Sequence, residues 1–181
     1  MLKIFISLYK IPVLVSTVTA IAIIALKVVS DPIQLALIFL ASFIATIIMD
    51  LDYFLYIYVF EPSSEFAVNV KSYITHKDFP GALSYIVAHK NSIEDKTLNS
   101  AFFQIILGLV CFFVIFSNLN IFVRTLVLAT FANSIYRAVE SYIENGPDAW
   151  FWSIKIKPSK GLFIFYVVLL FGALSFCLYF L

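Results

Sequence analysis

Cysteine and charge are both scarce in this chain. Its two cysteines, Cys111 and Cys177, both sit in apolar stretches, where burial is the usual fate of a free thiol, so no disulfide framework and no zinc knuckle is implied. Charged residues make up only 13% of the chain, the formal net charge is +1, and no Lys/Arg run forms a phosphate-tracking patch, which sets nucleic acid aside as a partner. There is no Gly-rich phosphate loop, no Gly-x-Ser-x-Gly, no His-Glu-x-x-His and no Cys-x-x-Cys. Polar breaks near mid-membrane in several spans, the usual mark of a transporter, are also missing.

Apolar bulk fills the space. The chain is 62% hydrophobic and 18% aromatic, with a mean hydropathy of +1.01, which predicts an integral membrane protein. Five apolar segments read as spans: 11–27, 33–52, 98–116, 121–142 and 161–181. The 181 residues then leave room for one domain, an all-α membrane bundle of five transmembrane helices. A basic start before an apolar run also describes a signal peptide, but the run continues past Ala20-Ile21-Ala22 to Lys27, so the first helix reads as uncleaved. Ser30-Asp31-Pro32 separates spans one and two, with the proline suited to a first helical turn. Span two is expected to continue as helix through Tyr53, Phe54, Tyr56, Tyr58 and Phe60, an aromatic belt. Asn145-Gly146-Pro147 ends span four, and Trp150-Phe151-Trp152 with Lys155, Lys157 and Lys160 reads as an interfacial anchor.

Residues 61–97 form the one long polar region. Ser64-Glu65 looks like a helix start, and Phe66, Val70, Tyr73 and Ile74 follow at helical spacing, which predicts an amphipathic helix on the bilayer surface. Asp78-Phe79-Pro80-Gly81 reads as a turn before a short second amphipathic piece ending at His89-Lys90. Ser92 is then a candidate N-cap, with Glu94 and Asp95 in the first turn. With five spans, ten of the twelve Lys and Arg fall on one side and only Lys27 and Arg124 on the other. The positive-inside rule makes the first side cytoplasmic, with the amino terminus inside, the carboxyl terminus outside and the polar region facing the cytosol.

Asp50 and Asp52 close the uncharged run from Ile33 to Met49, where carboxylates are costly. Asp50 lies seventeen residues beyond Ile33 and Arg137 sixteen beyond Ile121, so each is ~25 Å along its helix and level with the other. Asn133, Arg137, Glu140 and Glu144 fall on one helical face, a buried polar layer for which Asp50 or Asp52 with Arg137 is the first pair. Such a pair can simply fasten two helices. Alternatively Asp50, Asp52 and His89, with His76 a weaker candidate, are donors of the kind that bind zinc or manganese. Positions i and i+2 point about 200° apart on a helix, so the two aspartates can share an ion only if the helix is broken between them.

Three stretches resemble the YdjM-like family of bacterial membrane-bound metal-dependent hydrolases. Met49-Asp50-Leu51-Asp52-Tyr53 resembles the family's Pro-Asp-x-Asp-His element, keeping both acids and carrying Tyr53 in place of the histidine. His89-Lys90 resembles its His-Arg pair, and Asn133-Ser134-Ile135-Tyr136-Arg137 falls where a His-x-x-x-Asp belongs, with a cation in the aspartate position. The resemblance runs from about Ile33 to Trp152 and implies an inner (plasma) membrane helical bundle with an ancestral cytoplasmic metal site. An arginine in a ligand position tends to replace the metal, because it neutralises the acids directly. The expectation is therefore a non-catalytic membrane scaffold, partnered by the bilayer and by a cytoplasmic protein or a second copy. The alternative is an active metal-dependent hydrolase acting on a lipid or membrane-proximal substrate.

Overall fold

The computed structural model describes residues 2–89, 93, 96–146 and 148–181. All of its regular elements among these are helical: α1 (Leu2–Lys27), α2 (Pro32–Ile48), α3 (Leu51–Leu55), α4 (Glu65–Thr75), α5 (Phe79–Ala88), α6 (Ala101–Ile115), α7 (Ile121–Asn145), α8 (Asp148–Phe151) and α9 (Lys160–Phe180). A π-helical turn, Tyr56–Phe60, extends α3, and a 3-10 turn, Trp152–Ile154, extends α8.

Helix starts follow local chemistry. Asp31, Ser64, Asp78, Ser100, Asn120 and Ser159 each cap a helix by accepting from a backbone amide three residues on, which satisfies one of the donors a first turn leaves open. Pro32 takes the first turn of α2 as its fixed φ favours. Asp78-Phe79-Pro80-Gly81 opens α5 directly instead of forming a separate turn. The first helix begins at Leu2, and its membrane-length apolar part, Tyr9–Lys27, covers the expected span over 11–27. Lys90, Ser92, Glu94, Asp95 and Pro147 lie outside the described residues, and the cap of α6 is Ser100.

Helix α7 is the axis of the fold. It packs against α1, α2, α6 and α9, and an unbroken run from Leu128 to Ile135 is buried. One core joins Ile23 of α1, Ile38 of α2, Leu107 and Cys111 of α6, Leu128 and Phe131 of α7, and Leu170 and Leu174 of α9. A second gathers Met49, Ala101, Ala138, Trp150, Phe151 and Phe163. Trp150 and Phe151 are therefore core residues, not an interfacial anchor; their bulk is what closes the space between α6, α7 and α9. In a third cluster Phe66, Ala67 and Val70 of α4 pack on Ile57 and Ala82. The apolar face of α4 is thus covered by the protein's own π-turn and α5 instead of lying bare for a bilayer.

Two helices, over Tyr9–Lys27 and Lys160–Phe180, are long and apolar enough to cross a membrane, and a third span results if the bent pair Pro32–Ile48 and Leu51–Phe60 counts as one. The count of five expected from the sequence exceeds this on length and composition. Helix α6 has 15 residues, ~22 Å, against a hydrocarbon core of ~30 Å. Helix α7 is longer but carries Arg124, Arg137, Glu140 and Glu144.

Candidate functional site

The expected continuous helix from α2 into the aromatic run is broken at Met49-Asp50, with a bend of 47°. Asp50 and Tyr53 donate their amides three residues back, to Ile47 and Asp50, so the regular four-residue ladder lapses here. The Met49 carbonyl is instead taken by the Asn99 side chain, whose Nδ2 donates to it at 2.8 Å. An inserted side-chain donor is one of the identifiable causes of a helix kink.

The two aspartates go to different partners. Asp50 pairs with Arg137 Nη2 at 2.9 Å. Arg137 Nη1 reaches Glu140 at 2.8 Å, and the Tyr136 hydroxyl donates to the other Glu140 oxygen at 3.1 Å. Asp52 is buried and never meets the arginine; it accepts from the amides of Leu98 and Asn99 at 2.7 and 2.8 Å and from Asn99 Nδ2 at 2.8 Å. It is the fastener of the 96–100 segment. His89 stands at the exposed end of α5, stacked on Tyr85 at 4.1 Å between ring centroids, with Nδ1 donating to the Tyr85 carbonyl at 3.0 Å. His76 is exposed at the end of α4 and donates likewise to Ser72.

A shared ion does not fit this arrangement. Among the described residues no three His, Cys, Asp or Glu side chains come together in a way that could hold a metal. Asp50 already faces a guanidinium, Asp52 is filled by amide donors, and His89 is committed to α5. The physical reason is that the break falls at Met49-Asp50, so the two aspartates still stand two positions apart at the start of α3 and point away from each other.

The helical stripe on α7 divides by depth. Asn133 is buried and donates to Ser16 Oγ of α1 at 2.7 Å, while Thr46 of α2 donates to the same oxygen at 2.9 Å. One level down, Gln104 of α6, fully buried, donates to Ser134 at 3.1 Å and accepts from Trp150 Nε1 at 2.9 Å and the Tyr166 hydroxyl at 2.6 Å. That glutamine ties four helices, and the sequence signal for it was its position as the one polar break in an apolar segment.

Arg137, Glu140 and Glu144 then open into a cleft of about 550 Å³. Asp50, Tyr53, Lys96, Asn99, Asp148, Trp152, Lys155 and Lys157 complete much of its wall. The volume falls within the ~300–1,000 Å³ typical of ligand sites. At the rim Lys157 meets Asp148 at 2.7 Å, and that hydrogen bond and the charge behind it hold the exposed ammonium above its ordinary pKa. Lys155 was read from sequence as part of an interfacial anchor; the return of the chain through α8 brings it and Asp148 opposite α7. Comparison of the chain with protein-family models, with curated proteins and with solved structures finds no match. Fold and site together define an all-helical bundle with membrane-length apolar helices and a charged cleft at one end.

Proposed function

We propose that this chain is a multi-pass inner-membrane protein that works by binding, as a scaffold or interaction protein, and that an ion-pair clasp stands where a metal-dependent hydrolase would hold its metal. The observation that carries the reading is Arg137 engaging Asp50 and Glu140 at once. One cation engages two acids there and offsets half of their charge, which weakens the electrostatic reason for a divalent ion. Five crossings follow if α6 and α7 also traverse the bilayer. Their burial supports this, since α7 is wrapped by α1, α2, α6 and α9 and its charges need not face lipid. The cleft then lies at the cytoplasmic edge, on the side that carries most of the Lys and Arg, with the amino terminus inside and the carboxyl terminus outside.

Metal content of detergent-purified protein tests it. After dialysis against zinc or manganese, wild type, Asp50→Asn and His89→Ala should all carry no stoichiometric metal. Asp50→Asn should lose about 2 kcal/mol by leaving Arg137 with Glu140 alone, and adding Arg137→Leu should restore part of that. Near-stoichiometric metal in wild type, lost in both single variants, would overturn the clasp and return the chain to the hydrolases.

A further inference from the structure

Between α1 and α2 lies a second cavity, of about 220 Å³, which shares no lining residue with the charged cleft. Ser16, Ser42 and Thr46 are buried and make its floor, while Phe39 and Phe43, about half exposed and one helical turn apart, make its rim. Four hydroxyls line it, and three are engaged. Thr17 bonds the Val13 carbonyl at 2.8 Å, Thr46 bonds Ser16 Oγ at 2.9 Å and the Ser42 carbonyl at 3.2 Å, and Ser16 accepts from Asn133 at 2.7 Å. The fourth is different. Ser42 is only 2% exposed, and its hydroxyl has no partner among the described residues. A buried hydroxyl is normally paired, so an unpaired one flooring a cavity points to a ligand that supplies the pairing.

Depth narrows the chemistry. Ser42 is ten residues beyond Pro32 at the start of α2, and Ser16 eleven before Lys27 at the end of α1, so both lie ~15–17 Å from that edge, near the middle of a ~30 Å hydrocarbon core. The ester carbonyls of phospholipids stay at the boundary, and an acyl chain offers Ser42 nothing. An alcohol would bring a donor of its own to be satisfied, whereas a carbonyl only accepts. A flat ring suits the phenyl rim. The volume is below the ~300–1,000 Å³ that encloses a whole drug-sized ligand, so it holds a ring and leaves a tail outside. We propose that this cavity binds the head of a lipid-soluble quinone, with one ring carbonyl accepting from Ser42 Oγ, the ring against Phe39 and Phe43, and the apolar tail in the bilayer. Arrival of the ligand through hydrocarbon rests on the reading of a bilayer-spanning bundle given above.

The test is native mass spectrometry of the full chain, delipidated in detergent and then offered decylubiquinone or decylbenzene, which carries the same tail on a ring without carbonyls. Wild type should retain the quinone about fivefold better than the hydrocarbon, and Ser42→Ala should lower quinone retention about fivefold, from the worth of one hydrogen bond. Without ligand, Ser42→Ala should unfold in detergent no earlier than wild type, because the hydroxyl it removes has no partner in the protein. Val13→Phe, which fills the cavity from α1, should retain neither probe at unchanged helix content by circular dichroism. Equal retention of the two probes by wild type, or full quinone retention by Ser42→Ala or Val13→Phe, would overturn the proposal. Earlier unfolding of Ser42→Ala would show that the hydroxyl is already spent on the protein or on water, and would overturn it too. Dimers that retain no quinone would give the cavity to a second copy of the chain instead. Resistance of the protein to alkaline extraction from membranes, measured separately, distinguishes failure of this site from failure of the membrane reading.

Discussion

Single side chains do three different jobs in the polar layer, and their substitution should separate them. Gln104 is fully buried and uses both ends of its amide, so Gln104→Ala leaves Trp150 Nε1 and the Tyr166 hydroxyl without their acceptor. The expected loss is about 2 kcal/mol, read as a lower midpoint of unfolding in detergent, and Gln104→Glu should keep both donors satisfied and lose less. A midpoint unchanged in Gln104→Ala would show that water replaces the amide. The pairing of Arg137 with an aspartate of span two was legible in the sequence because two rigid rods of known rise put both at one depth. Which aspartate was not legible, since depth cannot tell Asp50 from Asp52. The choice is made by Asn99, an amide whose side chain acts 50 residues away in sequence. Nothing in its own neighbourhood marks it.

Among the elements, the bend between α2 and α3 is the least regular and the most consequential. Asn99→Ala removes the donor at the Met49 carbonyl and one of the donors to Asp52, and should cost about 2 kcal/mol because one of the lost hydrogen bonds goes to a carboxylate. It should also let the ladder close across Met49-Asp50, so spin labels placed on α2 and on the π-turn should move apart. An unaltered label distance would assign the kink to packing of Met49 in its core instead. Helix caps and the apolar periodicity of α4 were readable from local sequence, because a cap is a contact over three residues. What α4 packs against was not. An amphipathic helix states that one face must be covered and says nothing about whether lipid or protein covers it, and here Ile57 and Ala82 supply the cover. The aromatic group at 150–152 misled for the same reason. Tryptophan suits a membrane interface and a packed core equally well, and only the partners of Trp150, namely Gln104 and the surrounding core, decide.

For the molecule as a whole, the question is how many helices cross. Composition answered for α1 and α9, which are apolar over a membrane length, and faltered at α7, where charge is admissible because other helices enclose it. Cysteines introduced as Asn120→Cys and Lys155→Cys sit beyond opposite ends of α7. They should react with a membrane-impermeant thiol reagent from opposite faces of sealed vesicles, Lys155→Cys from the cytoplasmic one. Reaction of both from one face would remove α7 from the count. The enclosure of α7 also sets an order in time. Asn133 bonds Ser16 across 117 residues, an interval that takes roughly 6–23 s to synthesise at ~5–20 residues per second. For that long the nascent α1 and α2 exist without the helix that fills the space between them, their serine and threonine hydroxyls waiting for an amide the ribosome has not yet made. Assembly of this protein is then a matter of custody as well as packing, and a chain interrupted before Asn133 should be recognised as unfinished and destroyed.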